Sequence, residues 1–198
     1  MSDHRLPVHR SIAFAAILAA ALQFTGAAVH GQPVPPPIGD ITVDKADPVP
    51  LDEVKKLIAA GQNPQALARA DQYLVKNPRD AQMRFVRGVI LTDMRETEAA
   101  RAVFQQLVED FPELPEPYNN LAVLYAADGQ LGRARAALET ALLARPDYAT
   151  AHENLGDIYL QLAADAYQRA SSLQPGNKAL SSKLAVARDI VTKTTGPR

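Results

Sequence analysis

The side chains able to do chemistry are few and scattered. The sequence holds no cysteine, which excludes disulfides, thiolate zinc sites, thiol nucleophiles and a lipid-modified N-terminal cysteine. Of its histidines, His4, His9 and His30 lie near the start, and only His152 lies in the body of the chain. One histidine without cysteine does not build a typical zinc site. His152 falls at an aromatic-type position of an apolar pattern and reads as a packed, structural histidine. Ser171, Ser172, Ser181 and Ser182 cluster near the far end, with no histidine at a suggestive spacing to activate a hydroxyl. Glu153 and Asp157 are four residues apart and share one helical face; two such carboxylates can hold a hard cation, but solvated surface is the plainer reading. No glycine-rich loop follows a strand. The chain is therefore expected to be no enzyme, with no catalytic residues, no metal and no cofactor.

Charge and composition narrow the partners. Lysine plus arginine number 21 and aspartate plus glutamate 22, for a formal net charge of −1. A nearly neutral chain has no global field to hold a polyanion, so no nucleic acid is expected. Hydrophobic residues at 47% and charged residues at 22% are globular values. Thirty-five alanines favour close helix–helix contact over sheet.

The N-terminus reads as an address. Arg5, His9 and Arg10 precede an apolar run from Ile12 to Leu22, followed by Gly26, Ala27 and Ala28. This order fits a secretory signal peptide over 1–28, placing the protein in the periplasm or outside the cell. The alternative, a retained membrane anchor, is weakened because the run falls short of about 20 apolar residues. Membrane contact is expected only through this segment if it stays uncleaved. Residues 29–50 contain Pro33, Pro35, Pro36, Pro37, Pro48 and Pro50. Proline fixes φ and removes backbone donors, so this piece reads as an extended linker.

Beyond it, residue types recur with a period of thirty-four. Pro78, Pro112 and Pro146 keep that spacing; so do Gly88, Ala122 and Gly156, and Ala66, Ala100 and Ala134. Leu57, Leu91, Tyr125 and Tyr159 form a fourth column. Such a period is the signature of stacked helical pairs. Small residues sit where two antiparallel helices cross. Leu121, Tyr125 and Leu138 fill one unit, and Leu91, Phe104 and Leu107 the one before. Gly61 and Gly129 mark turns inside the pairs, and proline closes each second helix. Asn63 before Pro64 is expected to cap a helix.

The run Tyr118, Leu121, Ala122, Tyr125, Ala134, Leu138, Ala141 and Pro146 resembles the tetratricopeptide repeat. His152, Leu155, Gly156 and Tyr159 restart it. Arg87, Gly88, Ala100, Phe104, Leu107 and Pro112 match most positions, while the first unit has Val54 in the small column. The resemblance implies an all-α fold, a right-handed superhelical stack of antiparallel helix pairs. The domain spans 51–193, with repeats at about 47–80, 81–114, 115–148 and 149–176 and a capping helix at 177–193.

The fourth unit departs from the pattern. Nine residues separate Tyr125 from Ala134, but four separate Tyr159 from Ala163, and Pro175 comes early. The missing residues are those of the turn. Leu155, Tyr159, Leu162, Ala166, Ala170 and Leu173 run as one stripe, so 148–173 is predicted to be one long helix. A tightened hairpin near 162–165 is the alternative. Asn177 should cap the last helix, whose apolar side is Leu180, Leu184, Ala187 and Ile190 or Val191.

The resemblance also implies a concave groove lined by the first helices and suited to extended peptide segments. Carried onto this chain, the groove takes Gln82, Phe85, Val86, Val89, Thr92 and Asp93 from the second unit. The third unit gives Glu116, Asn119, Asn120, Val123 and Ala127, and the fourth Thr150, Glu153, Asn154, Asp157 and Gln161. The partner-binding residues proper are Phe85, Val89, Asn119, Asn120, Val123, Glu153, Asn154 and Asp157. Asn120 and Asn154 are expected to lie one above the other and grip a peptide backbone, whose groups match a primary amide. Phe85, Val86, Val89 and Val123 should add an apolar strip. Relatives that clamp a C-terminal carboxylate use lysines and arginines on this surface. Here amides and acids stand there, so a partner segment with a basic or uncharged end is expected. The function implied is a non-catalytic protein–protein interaction scaffold or adaptor in a bacterial cell envelope. The alternative is a self-associating structural protein, a homodimer formed through helix 148–173 and the C-terminal helix.

Overall fold

The computed structural model describes residues 50–195. The expected signal peptide and all of the linker but Pro50 lie outside the described residues. Pro50 is not linker: it opens the first helix, where a missing N–H costs nothing. The helices are α1 (Pro50–Ala59), α2 (Asn63–Lys76), α3 (Ala81–Asp93), α4 (Thr97–Asp110), α5 (Pro115–Ala127), α6 (Leu131–Ala144), α7 (Ala149–Leu173) and α8 (Lys178–Thr195). There is no strand among the described residues.

The thirty-four-residue period is a period of backbone geometry. The amides of Gln62, Glu96 and Gln130 donate to the carbonyls of Leu57, Leu91 and Tyr125 at 2.9, 2.9 and 2.8 Å. Just before each donor, Gly61, Arg95 and Gly129 adopt left-handed φ values of 70°, 63° and 73°. Each first helix thus ends in the same six-to-one hydrogen-bonded turn. Each of α2, α4, α6 and α7 stops two residues before its proline.

In the fourth unit the turn residues are absent, and α7 runs straight through 25 residues. Nothing in 157–174 offers glycine or proline to break the helix. The long helix is therefore as predicted, and the hairpin alternative is not formed. After it, α8 folds back along α7 and buries Leu184 and Ala187. Asn177 caps α8, its Oδ1 accepting from the amides of Ala179 and Leu180 at 3.1 and 3.3 Å.

Between the helices the small columns do what their size allows. Ala66, Ala100 and Ala134 are fully buried. Gly88 lies under the Phe104 ring, so close that a Cβ there would come within 2.6 Å of it. Phe85 meets the same ring with centroids 5.7 Å apart. One sequence expectation fails locally. Asn63 is the first residue of α2, its Oδ1 buried without a partner, and Gln62 holds the cap position. Pro64 then occupies the second helical residue, one place later than the capping reading required.

Candidate functional site

The inner face of the stack is built by α3, α5 and α7, and half of the side chains expected to line it are out of reach. Phe85 is 1% exposed and Val89 2%; Asn119, Asn120 and Val123 are buried as well. Val86 and Thr92 join them. The apolar strip is thus core, not groove. The reason is that each first helix is packed between second helices, so that Phe85 meets Phe104 of α4. Phe85 and Val89 turn toward the later units, and Val86 turns back toward α1 and α2. Glu153 is exposed, and Asn154 and Asp157 are half-buried. The structure leaves Gln82, Asp93, Ala127, Thr150 and Gln161 at least partly open.

The asparagine ladder also differs from expectation. Asn120 does not pair with Asn154. It donates to the Glu116 carbonyl one turn earlier on its own helix, and its Oδ1 has no partner. Asn154 Nδ2 donates instead to Asn119 Oδ1 at 2.8 Å, joining α7 to α5. Two first helices side by side bring residues thirty-five apart into contact, not thirty-four. The amides are therefore used within the stack.

Glu116 is committed too. Its carboxylate pairs with Arg145, and Arg145 stacks on the Tyr148 ring 4.3 Å away. Tyr148 Oη is buried with no hydrogen-bond partner. Burial, then the nearby Glu116 carboxylate, push its pKa from the ordinary 10.0 to about 12, with Arg145 pulling the other way. Asp93 is also raised, by burial. His152, expected to be packed, is exposed; its Nε2 donates to the Pro146 carbonyl at 2.8 Å. It stands at the first turn of α7, outside the helix crossing. No group of three or more metal-ligating side chains occurs among the described residues.

What remains accessible is an acidic surface, with Asp93, Glu153 and Asp157 on the inner side, while the Asn154 amide is spent on Asn119 and the Gln161 Nε2 is buried. The seam below it, between Val123, Leu138, Asn154 and Ile158, encloses about 10 Å³, room for one water at most. Such a surface can hydrogen-bond an extended chain and attract cationic groups. It offers no deep pocket for an apolar anchor.

Sequence comparison agrees with this architecture. Two models, both described as tetratricopeptide repeat, match residues 51–115 and 91–158. Over these residues the chain is a tetratricopeptide-repeat protein. The chain is 30% identical over 116 residues to the chloroplastic tetratricopeptide repeat domain-containing protein PYG7 of Arabidopsis thaliana, covering 54% of this chain and 38% of that relative. It therefore spans less than half the length of the curated relative. Among solved structures, the first tetratricopeptide domain of Spaghetti (RPAP3) bound to an HSP90 peptide superposes with a TM-score of 0.55 at 17% identity, over 58% of this chain and 91% of that one. A thermophilic tetratricopeptide-repeat protein of Thermus thermophilus, TTC0263, superposes at 0.54 with 22% identity, over 74% and 84%. These likenesses establish the all-helical repeat fold.

A second surface lies on the opposite side of α5, and the sequence reading did not single it out. Tyr118, Leu121 and Tyr125 of α5 and Arg133, Ala136, Ala137 and Thr140 of α6 line an open groove of about 280 Å³. The Arg133 guanidinium lies 4.0 Å from the Tyr125 ring centre, and its Nη2 donates to Tyr125 Oη at 2.8 Å. The available signal was Tyr125 replacing leucine in its column, with arginine eight residues later.

Proposed function

We propose that this protein is a non-catalytic interaction scaffold or adaptor that holds an extended segment of a partner protein along its inner face, in a bacterial cell envelope. The observation that carries the reading is the acidic face of α7, where Glu153 is exposed and Asp157 half-buried above a narrow seam. Repeats of this kind hold peptides in the RPAP3 domain bound to its HSP90 peptide. The buried Phe85, Val89 and Val123 remove apolar anchoring from the inner face. Recognition then falls to main-chain hydrogen bonds and to basic side chains of the partner. A net hydrogen bond contributes about 1 kcal/mol and a micromolar complex needs about 8, so the contact must extend over several units. The envelope setting rests on the basic and apolar order of residues 5–28. Pull-down from envelope extract tests the reading: Glu153→Lys with Asp157→Lys should lose the partner that the parent retains. Equal recovery by both would remove the inner face from the function.

A second reading is favoured by one further observation. Where α7 runs on past the missing turn, Tyr159 is 48% exposed and Leu173 83%. Val186 and Ile190 of α8 are open as well. A second copy covering these residues would make the protein a self-associating one. Light scattering at micromolar concentration decides it, since a strict monomer excludes this reading.

A further inference from the structure

The geometry points to a second binding site, in the groove between α5 and α6, for a peptide carboxylate flanked by an apolar side chain. The floor is apolar: Leu121 is buried, and Ala136 and Ala137 are small enough to leave the space open. At about 280 Å³ it lies just below the range of small-molecule pockets and suits one or two side chains.

The charge at its edge decides the occupant. Arg133 is exposed and has no carboxylate partner among the described residues; its two contacts are Gln130 Oε1 at 2.8 Å and Tyr125 Oη. A guanidinium has five donors, so most remain free. Stacking on Tyr125 and the two hydrogen bonds fix its plane in advance, which lowers the entropy lost on binding. The neighbouring Arg101, 5.9 Å from the same ring centre, is committed to both Glu98 and Asp128, a trio with a net charge of −1, so among the described residues Arg133 alone supplies a free cation at this edge. Tyr125 Oη accepts from Arg133 and, at 3.3 Å, from Gln105 Nε2. With both acceptor positions used, its own proton is left to donate. The Thr140 hydroxyl is occupied by the Ala136 carbonyl. Arg133 and Tyr125 thus present donors beside a greasy floor, which complements a carboxylate next to an apolar side chain.

The site occurs once. Thirty-four residues earlier the equivalents of Tyr118, Tyr125 and Arg133 are Arg84, Leu91 and Ala99; thirty-four later they are His152, Tyr159 and Tyr167. One site per chain is therefore expected.

Backbone-amide NMR titration tests it, with acetyl-Gly-Leu-Glu-Phe-Gly-amide as probe and the same peptide carrying lysine for glutamate as control. The glutamate peptide should shift the amides around Tyr118, Tyr125, Arg133 and Thr140 at one-to-one stoichiometry. The lysine peptide and Arg133→Gln should each bind about tenfold more weakly or worse. Because Arg133 is exposed, a circular-dichroism spectrum unchanged in Arg133→Gln is expected and confirms that the fold is kept. Glu153→Lys with Asp157→Lys should leave this binding intact, which separates the outer site from the inner face. Equal shifts with the lysine peptide, undiminished binding by Arg133→Gln, shifts confined to 153–161, or groove shifts that follow protein concentration alone would each overturn the proposal.

Discussion

At the scale of single residues, the small column at Gly88, Ala122 and Gly156 gives opposite answers at its two ends. A Cβ at Gly88 would come within 2.6 Å of the Phe104 ring, whereas at Gly156 it would meet nothing within 4 Å. Gly88→Ala should therefore destabilise the fold by about 1–3 kcal/mol through overpacking. Gly156→Ala should stabilise it by about 0.5–1 kcal/mol, because alanine costs less backbone entropy inside a helix. Chemical denaturation of the two variants checks the signs. Tyr148 gives a second residue-scale prediction. Its folded pKa of about 12 lies above the ordinary 10.0, so the neutral phenol is the form the fold prefers. Its contribution is complete below pH 10 and is lost as pH rises toward 12. An absorbance titration should show a late tyrosine step near pH 12 that Tyr148→Phe removes. Since the hydroxyl has no partner, that variant should be no less stable than the parent at neutral pH.

The small columns at Ala66, Ala100 and Ala134 and at Gly88 and Ala122 were legible in the sequence because buried helix crossings need small residues, while Gly156 keeps the spacing at a place where nothing crowds it. The groove residues were not legible in the same way. Position in a repeat says which helix carries Phe85 or Asn120, but burial depends on how the flanking helices pack against it. The offset of α7 on α5 pairs Asn119 with Asn154, and the Phe104 ring of α4 makes Phe85 core. His152 shows the same limit: Tyr118, thirty-four residues earlier, is half-buried, whereas His152 lies open.

At the scale of elements, the decisive feature is the loss of one turn. Three units close through a left-handed residue at Gly61, Arg95 or Gly129; the fourth lacks the turn residues, so α7 continues. This was readable from the shortened spacing between Tyr159 and Pro175. Spin labels at positions 150 and 172 should report a separation of about 33 Å, the standard rise over 22 residues. A hairpin would bring them much closer. The straight helix also explains why Tyr159 stands half-open while its counterpart Tyr125 is buried beneath Arg133 and Gln105. Proline after each second helix, and Asn177 before α8, are local signals that held because each acts on the backbone alone.

For the whole molecule, the stack offers two faces with different chemistry. The inner face carries Asp93, Glu153 and Asp157 with amides between them; the outer groove carries Arg133 over an apolar floor. The inner face is where the proposed partner segment lies. Photo-cross-linking decides this most directly, with a benzophenone side chain placed at position 153 on the inner face or at 75, exposed on α2. The account predicts a discrete partner adduct from position 153, lost when Asp157→Lys is added, and none from position 75. An adduct from position 75 with none from 153 would contradict it.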